Sequence, residues 1–304
     1  MPQAVQFSEY GTSEVLKIAE VQPPIPGAGQ VRLAVRAAGV NPIEWKILQG
    51  LMRELIPLEF PAGLGSDVAG VVEQIGPGVD GLAVGDEVLG TSSTPSYAGF
   101  ALAESASLVR KPTAVPWAVA GSLAAAGGTA WTVLDRLGIS AGETLLIHAA
   151  AGGVGTFAAQ LAVARGARVI GTASEGNHAY LRTIGVEPVA YGDGLADRVR
   201  SIAPHGVDAV LDASGRGEIP LSIELAGGPE RVLTLVAFDA ADTGIQVHLG
   251  GSNDVKALDE ILELIEQGKL QVPIFRTYPL SEAAAAIEAS RTGHVRGKIV
   301  LEVN

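Results

Sequence analysis

The chain has 304 residues, 47% of them hydrophobic and 18% charged, which suits two compact domains with large cores and excludes a disordered protein. A formal charge of -12 at pH 7 sets nucleic acid and anionic membranes aside as primary partners, because each would have to overcome repulsion. There is no cysteine, which removes disulfides, thiolate nucleophiles and every cysteine-ligated metal site.

The opening MPQAVQFSEYG lacks a basic region followed by an apolar one, so the expected location is the cytoplasm. Up to about residue 110 the chain reads as short strands with frequent turns. QVRLAVRAAGV (Gln30 to Val40) alternates like a half-buried strand, and SDVAGVVEQIG (Ser66 to Gly76) is a valine-rich run closed by GPG. Glycines recur every few residues from Gly63 to Gly90, the texture of a small β-barrel with tight corners. Pro112 to Leu134 and Thr144 to Ala164 are long enough and poor enough in charge to imitate membrane spans. They are built from Ala and Gly rather than Leu and Phe, and the expectation is core, not membrane.

From Trp117 onward strand-like and helix-like runs alternate: TLLIHA, VGTFAAQLAVARG, ARVIGTA, NHAYLRTIG, VDAVLDAS and RVLTLVAF. Such alternation implies βαβ units and a parallel, doubly wound sheet. VKALDEILELIEQGKL then reads as an amphipathic helix ending at Gly268, SEAAAAIEASRTG as another helix, and GKIVLEV as a last strand. The expected division is a barrel domain from residues 1–117 and 274–304, with a βαβ domain of residues 118–273 inserted between them.

LLIHAAAGGVGTFAAQLAVARGARVIGTAS (Leu145 to Ser174) carries the chemistry. Strand, glycine turn, helix and second strand fill about thirty residues, the length of a nucleotide-binding βαβ unit. Gly152 lets the backbone approach a pyrophosphate, Gly155 lets the helix pack on its strand, and free N–H groups at the helix start bind phosphate. Ala150 stands where the first glycine of the usual G-x-G-x-x-G falls. The second strand ends in Ala173 and Ser174 rather than in an acidic residue, which leaves room for a 2′-phosphate and favours NADP(H) over NAD(H). Glu175 follows directly, and no Lys or Arg follows before Arg182. His148 in LLIHA reads as a hydrogen-bonded core residue, and the histidines have no metal-ligand spacing. Asp67 and Asp86 read as turn and loop residues, Glu44 and Lys46 as one possible structural pair, Trp45 as packing, Tyr97 as barrel core, and Arg296 and Lys298 either as cations that reach the adenosine phosphate or as exposed charges before the last strand.

Several ordered motifs together resemble one family: AGVNPIEWK (Ala38 to Lys46), GSDVAGVVEQIGPGV (Gly65 to Val79), VGDEVLG (Val84 to Gly90), AGGTAWTVL (Ala126 to Leu134), AAGGVG (Ala150 to Gly155) and the terminal GKIVLEV. The chain resembles, over nearly its whole length, the zinc-independent quinone oxidoreductase branch of the medium-chain dehydrogenase/reductases. The resemblance implies an α/β architecture: a GroES-like β-barrel catalytic domain and a Rossmann cofactor domain. Asn41 falls where zinc-dependent relatives have a cysteine ligand, and in this branch that asparagine contacts the nicotinamide ribose. Ser66 and Asp67 stand in the relatives' Gly-His-Glu motif, so no catalytic zinc is expected. By the same likeness Thr129 lines the nicotinamide, Tyr191 meets the 2′-phosphate, and Val236 and Phe238 follow a strand end that faces the carboxamide. The cofactor set then comprises Asn41, Thr129, Ala150, Gly152, Gly153, Val154, Gly155, Ser174, Tyr191, Val236 and Phe238, with Asn41, Lys46 and Thr129 as catalytic candidates. Trp45 and Lys46 stand near the position where some members have a substrate-lining tyrosine.

The implied reaction is hydride transfer from NADPH to a quinone or an α,β-unsaturated carbonyl, without metal, in a homodimer. An enoyl-thioester reductase and a non-catalytic NADPH-binding sensor or structural protein stand as alternatives.

Overall fold

The computed structural model describes residues 1–251 and 254–303. From the start the chain forms β1 (Gln3–Phe7), β2 (Lys17–Glu20), β3 (Gln30–Val40), α1 (Pro42–Leu48), β4 (Ala62–Gly63), β5 (Asp67–Ile75), β6 (Glu87–Thr91), β7 (Phe100–Glu104), β8 (Leu108–Arg110) and the short α2 (Trp117–Ala120). Next come α3 (Ala124–Leu137), β9 (Thr144–His148), α4 (Gly153–Ala164), β10 (Arg168–Ala173), α5 (His178–Thr183), β11 (Val186–Ala190), α6 (Leu195–Ile202), β12 (Ala209–Asp212), α7 (Ile219–Ala226), β13 (Val232–Thr234) and β14 (Gln246–Val247). The remainder is α8 (Val255–Glu266), β15 (Ile274–Pro279), α9 (Ala283–Arg291) and β16 (Lys298–Glu302). Two compact units divide these elements: Met1–Ala125, Asn253–Leu262 and Pro273–Asn304 make one, and Ala126–Ser252 with Glu263–Val272 makes the other.

In the first unit β3 is the hub. Its opening half alternates buried and half-buried residues and pairs with β7, while Ala37 to Val40 are buried on both faces and pair with β16. The other edge of β3 takes β5, with register shifts at Arg32/Leu33 and Val35/Ala37 that bend the sheet. The sheet runs β15-β16-β3-β5-β6-β8, and a smaller one runs β2-β1-β4. Phe7, Leu33, Tyr97, Val300 and Leu301 are buried here. Tyr97 is wholly inaccessible, its hydroxyl donating to the Gly39 carbonyl at 3.4 Å, so the expected core tyrosine is found.

The second unit holds a parallel sheet in the order β11-β10-β9-β12-β13-β14. Leu145, Leu146, Ile147, Val210, Leu211, Val232 and Leu233 are fully buried, as near-continuous apolar strands between helical layers must be. The chain steps outward from β9 to β10 and β11, then crosses back to β12 on the other side of β9. That crossing makes the carboxyl ends of β9 and β12 the topological switch point, where ligands of such sheets bind. RVLTLVAF is strand only as far as Thr234, and residues 235–238 leave the sheet for a 3-10 turn at Phe238–Thr243. Among the described residues no helix is long and apolar enough to cross a membrane.

Candidate active site

At the switch point β9 ends in His148, and Ala149 turns the chain with φ 58°, a left-handed conformation that a side chain disfavours. Two bonds from β10 fix this turn: Thr172 Oγ1 accepts the Ala149 N–H at 3.2 Å, and the Thr172 carbonyl accepts the Ala150 N–H at 3.0 Å. Gly152 is the N-cap of α4 and bonds back to the Ala149 carbonyl at 2.9 Å. Gly155 must be glycine, because a Cβ there would lie 2.3 Å from the Ala149 oxygen and 2.8 Å from the Ala150 Cα. Ala150 is tolerated in place of the first glycine for a reason found on the neighbouring strand. Gly171 of β10 faces it, and a Cβ at Gly171 would come within 2.6 Å of the Ala150 methyl.

The 12-residue α4 leaves the N–H groups of Gly153, Val154 and Gly155 without intrahelical acceptors, at the positive end of the helix dipole. This cradle, built on a buried strand at the switch point, fits a dinucleotide pyrophosphate. On the β10 side Ser174 and Glu175 are exposed and Tyr191, just beyond β11, is 36% exposed. On the β12 side the structure brings in a residue that the sequence reading overlooked. The buried Asp212 carboxylate accepts the Ser214 N–H and hydroxyl, both at 2.9 Å, and the Thr234 hydroxyl at 2.9 Å. Thr234 Oγ1 in turn accepts the N–H groups of Val236 at 3.1 Å and Ala237 at 3.0 Å. One carboxylate therefore fixes the loops after β12 and β13. Its only sequence signal is a charge closing the apolar run VDAVLD.

Thr129, on α3, is buried, and its hydroxyl accepts the Gly251 N–H at 2.8 Å. Val236 is half-buried and Phe238 is 38% exposed. His148 is fully buried, with Nε2 3.1 Å from Ser222 Oγ and Nδ1 3.4 Å from Thr172 Oγ1. Burial lowers its pKa against the opposing pull of Glu218 and Asp212, in keeping with a core role.

The remaining candidates lie in the first unit. Asn41 caps α1 at the end of β3, and the antiparallel register of β16 on β3 (Ile299 opposite Val40) carries Lys298 to it. Register on β5 (Ala37 opposite Ala69) brings Asp67 alongside, across Gly39, where a Cβ would meet Asp67 Oδ2 at 2.6 Å. Lys298 Nζ donates to Asn41 Oδ1 and lies 3.7 Å from Asp67 Oδ2. Asn41 Nδ2 donates to Asp67 Oδ2 at 3.1 Å and reaches Glu44 Oε1 at 3.5 Å, while the Asn41 N–H donates to Glu44 Oε2 at 2.7 Å. Burial first, and the Asp67 carboxylate second, push the Glu44 pKa up to about 8.

Three expectations are corrected here. Lys298 is 2% exposed rather than a surface charge, because its strand is the buried neighbour of β3. Asp67 is the buried first residue of β5, not a turn residue, and its Oδ1 also accepts the Ala125 N–H at 2.6 Å. Glu44 bonds the Asn41 backbone as a helix-capping partner and not Lys46, which is half-buried beside the Trp45 ring with its pKa lowered by burial. Asp86 keeps its loop role, accepting the Ala83 N–H at 2.8 Å and pairing with Arg110 at 2.7 Å.

Residues 27–136 match the family described as alcohol dehydrogenase GroES-like domain, and residues 184–301 the one described as zinc-binding dehydrogenase. A chloroplast envelope quinone oxidoreductase homolog of Arabidopsis thaliana is 30% identical, covering 98% of each chain. A mycocerosic acid synthase-like polyketide synthase of Mycobacterium tuberculosis is 32% identical over 98% of this chain and 15% of its own length. Among solved structures, the quinone oxidoreductase from Coxiella burnetii has a TM-score of 0.90 at 32% identity, covering 100% of this chain and 99% of that one. The Escherichia coli quinone oxidoreductase complexed with NADPH has a TM-score of 0.88 at 26% identity, covering 99% of each. The first unit is thus GroES-like and the second a Rossmann domain. The residues do not fit the zinc that one family description mentions: the Lys298 ammonium lies against the Asn41 and Asp67 oxygens, and Glu44 is bonded to the Asn41 N–H. Among the described residues no group of three or more His, Asp or Glu is placed to hold a metal ion. Full-length likeness, a glycine turn and helix start at the switch point and a lysine among the would-be ligands lead to one conclusion: the chain belongs to the zinc-independent quinone oxidoreductase branch of the medium-chain dehydrogenase/reductases, a family of NAD(P)-binding oxidoreductases.

Proposed function

We propose that this oxidoreductase uses NADPH to reduce a quinone or an α,β-unsaturated carbonyl, without a metal. The observation that carries the reading is the cradle at α4, where the turn 149–152 and Gly155 place consecutive N–H groups for a pyrophosphate. The strand end at Ala173 and Ser174, with no carboxylate at the ribose position, supports the phosphorylated dinucleotide. So does the likeness to a relative complexed with NADPH.

When bound, the reduced nicotinamide supplies a hydride, and a proton from water completes the two-electron reduction of the acceptor. The chain's own residues orient and hold. Gly153, Val154 and Gly155 bind the phosphates through the backbone, and the Asp212–Thr234 link keeps the Val236 loop still. Asn41 has both amide hydrogens committed to Asp67 and Glu44, so its carboxamide meets a ligand as an acceptor, through the second lone pair of Oδ1. A ribose hydroxyl is a donor of the required kind. In this reading Lys46, Thr129, Ser174, Tyr191, Val236 and Phe238 complete the surroundings of the cofactor and acceptor.

The test is loss of NADPH absorbance with 1,4-benzoquinone, 9,10-phenanthrenequinone and a simple enone offered in parallel, and NADH as the control donor. Turnover with NADPH and little with NADH is expected; tight NADPH binding with no turnover on the panel overturns the assignment of acceptor. An enoyl-thioester, suggested by likeness to a stretch of a polyketide synthase, belongs in the same panel. We extend the proposal to a homodimer on family likeness, which light scattering on the eluting protein tests.

A further inference from the structure

If the cofactor is NADPH, the strand end at Ser174 is an incomplete site for it. A 2′-phosphate there meets one hydroxyl and the exposed carboxylate of Glu175, with no Lys or Arg among its neighbours in sequence; His178, four residues on, has its Nε2 3.4 Å from the Ala173 carbonyl oxygen. Arg182, the next Lys or Arg, is in the last turn of α5, just before β11 begins, and so at the opposite edge of the sheet from Ser174. Arg198 is near the right loop, but its donors are spent on the carbonyls of Ala190, Tyr191, Gly192 and Asp193 at 2.7–3.3 Å. Those bonds stiffen the loop that carries Tyr191.

The missing cation comes from the other side of the switch point. Arg216 sits in the loop after β12, and its guanidinium lies over the Tyr191 ring, 4.5 Å from the centroid. Tyr191 follows β11, and β11 and β12 are separated by β10 and β9, about 14 Å at the usual strand spacing. Both residues leave the carboxyl ends of parallel strands, so the contact runs along that edge past Ser174 and the glycine turn. The loop that delivers Arg216 is built for it. Gly215 and Gly217 on either side have φ of 65° and 84°, and the Arg216 N–H donates to Ser214 Oγ at 3.2 Å. Ser214 is itself held by Asp212 and lies 2.7 Å from Glu218 Oε2. Among the described residues no carboxylate pairs with the Arg216 guanidinium, whereas Arg32, Arg168 and Arg231 each have one. A guanidinium over an aromatic face still offers the N–H fork in its own plane, the geometry that grips a phosphate bidentately.

We propose that Arg216, laid on Tyr191, is the specificity-determining cation for the adenosine 2′-phosphate and offsets the repulsion of Glu175. The inference rests on the NADPH reading and extends it to a residue on the far side of the glycine turn.

The experiment is calorimetric titration of the full chain with adenosine 2′,5′-bisphosphate and with 5′-AMP, which lacks the 2′-phosphate. The wild type binds the bisphosphate more tightly. Arg216→Ala weakens the bisphosphate about 10- to 100-fold, the size of a lost charge-assisted contact, and leaves 5′-AMP within about twofold. Arg216→Lys, which keeps the charge and loses the fork, falls between them. Equal weakening of both ligands assigns Arg216 to the adenine or to the loop's shape and overturns the proposal, as does an unchanged bisphosphate affinity. A wild type with no preference for the bisphosphate removes the NADPH reading itself, and that is seen before any variant is made.

Discussion

Gly155→Ala is the most direct test of how the cofactor cradle is held. The added methyl would stand 2.3 Å from the Ala149 carbonyl oxygen and 2.8 Å from the Ala150 Cα, both backbone, where ordinary contact begins near 3.4 Å. Neither atom can yield easily, because Ala149 is already in a left-handed conformation and Thr172 ties both residues to β10. Relief therefore requires α4 to move by about 1 Å away from β9, and residues 155–162 of that helix are buried. Overpacking of this kind costs about 3 kcal/mol, of which alanine's better helix propensity returns about 1. The net loss of about 2 kcal/mol lowers Tm by roughly 4–8 °C, read by calorimetry. NADPH affinity falls with it, since the N–H groups of Gly153 to Gly155 lose their aim. Gly152→Ala is the matched control: its methyl meets only the Ala149 oxygen at 3.2 Å, and the backbone there (φ -76°, ψ -178°) accepts alanine. It is expected to melt within about 2 °C of the wild type yet to bind NADPH more weakly, because the methyl occupies the approach of the phosphate. A Gly155→Ala protein as stable as the wild type, with NADPH affinity intact, would refute the packing argument.

Thr234→Val removes the hydroxyl between Asp212 and the N–H groups of Val236 and Ala237, leaving a buried carboxylate oxygen short of a donor. A loss of about 2–3 kcal/mol in urea unfolding is expected, largely restored by Thr234→Ser; equal effects of the two variants would show that the hydroxyl carries nothing. Glu44→Gln tests the buried carboxyl at Asn41. With the folded pKa raised to about 8 from 4.5, folded Glu44 keeps a proton that the unfolded chain releases, so its contribution to stability is lost as pH rises between those values. The variant and wild type are expected to agree near pH 4 and to diverge in the variant's favour up to about pH 8, by a few kcal/mol at most. A stability difference that stays flat between pH 5 and 8 contradicts a neutral Glu44.

Much of the architecture is legible in the sequence, because period and turn chemistry are local. The run Gln30 to Val40 forms a strand with those bounds, and the strand, turn and helix around AAGGVG stand where pattern and spacing place them. Less was readable where a run continued past its ladder, as in RVLTLVAF, whose strand ends at Thr234 once Asp212 recruits that side chain. The residues misread are charged ones. A lysine before a final strand reads as solvated, and Lys298 is buried only because β16 pairs with β3 in the register that sets it against Asn41 and Asp67. Asp212 and Arg216 are invisible for the same reason.

The sequence by itself determined most of the strands and helices, and that a glycine turn and a helix start follow β9, since these depend on residues within a turn or two of one another. Tertiary structure alone decided that Asn41 is held by Lys298, Asp67 and Glu44, that Asp212 joins two loops, and that Arg216 lies on Tyr191. Each of those is a contact between residues far apart in the chain, and strand order and register, not local pattern, set which distant charges meet.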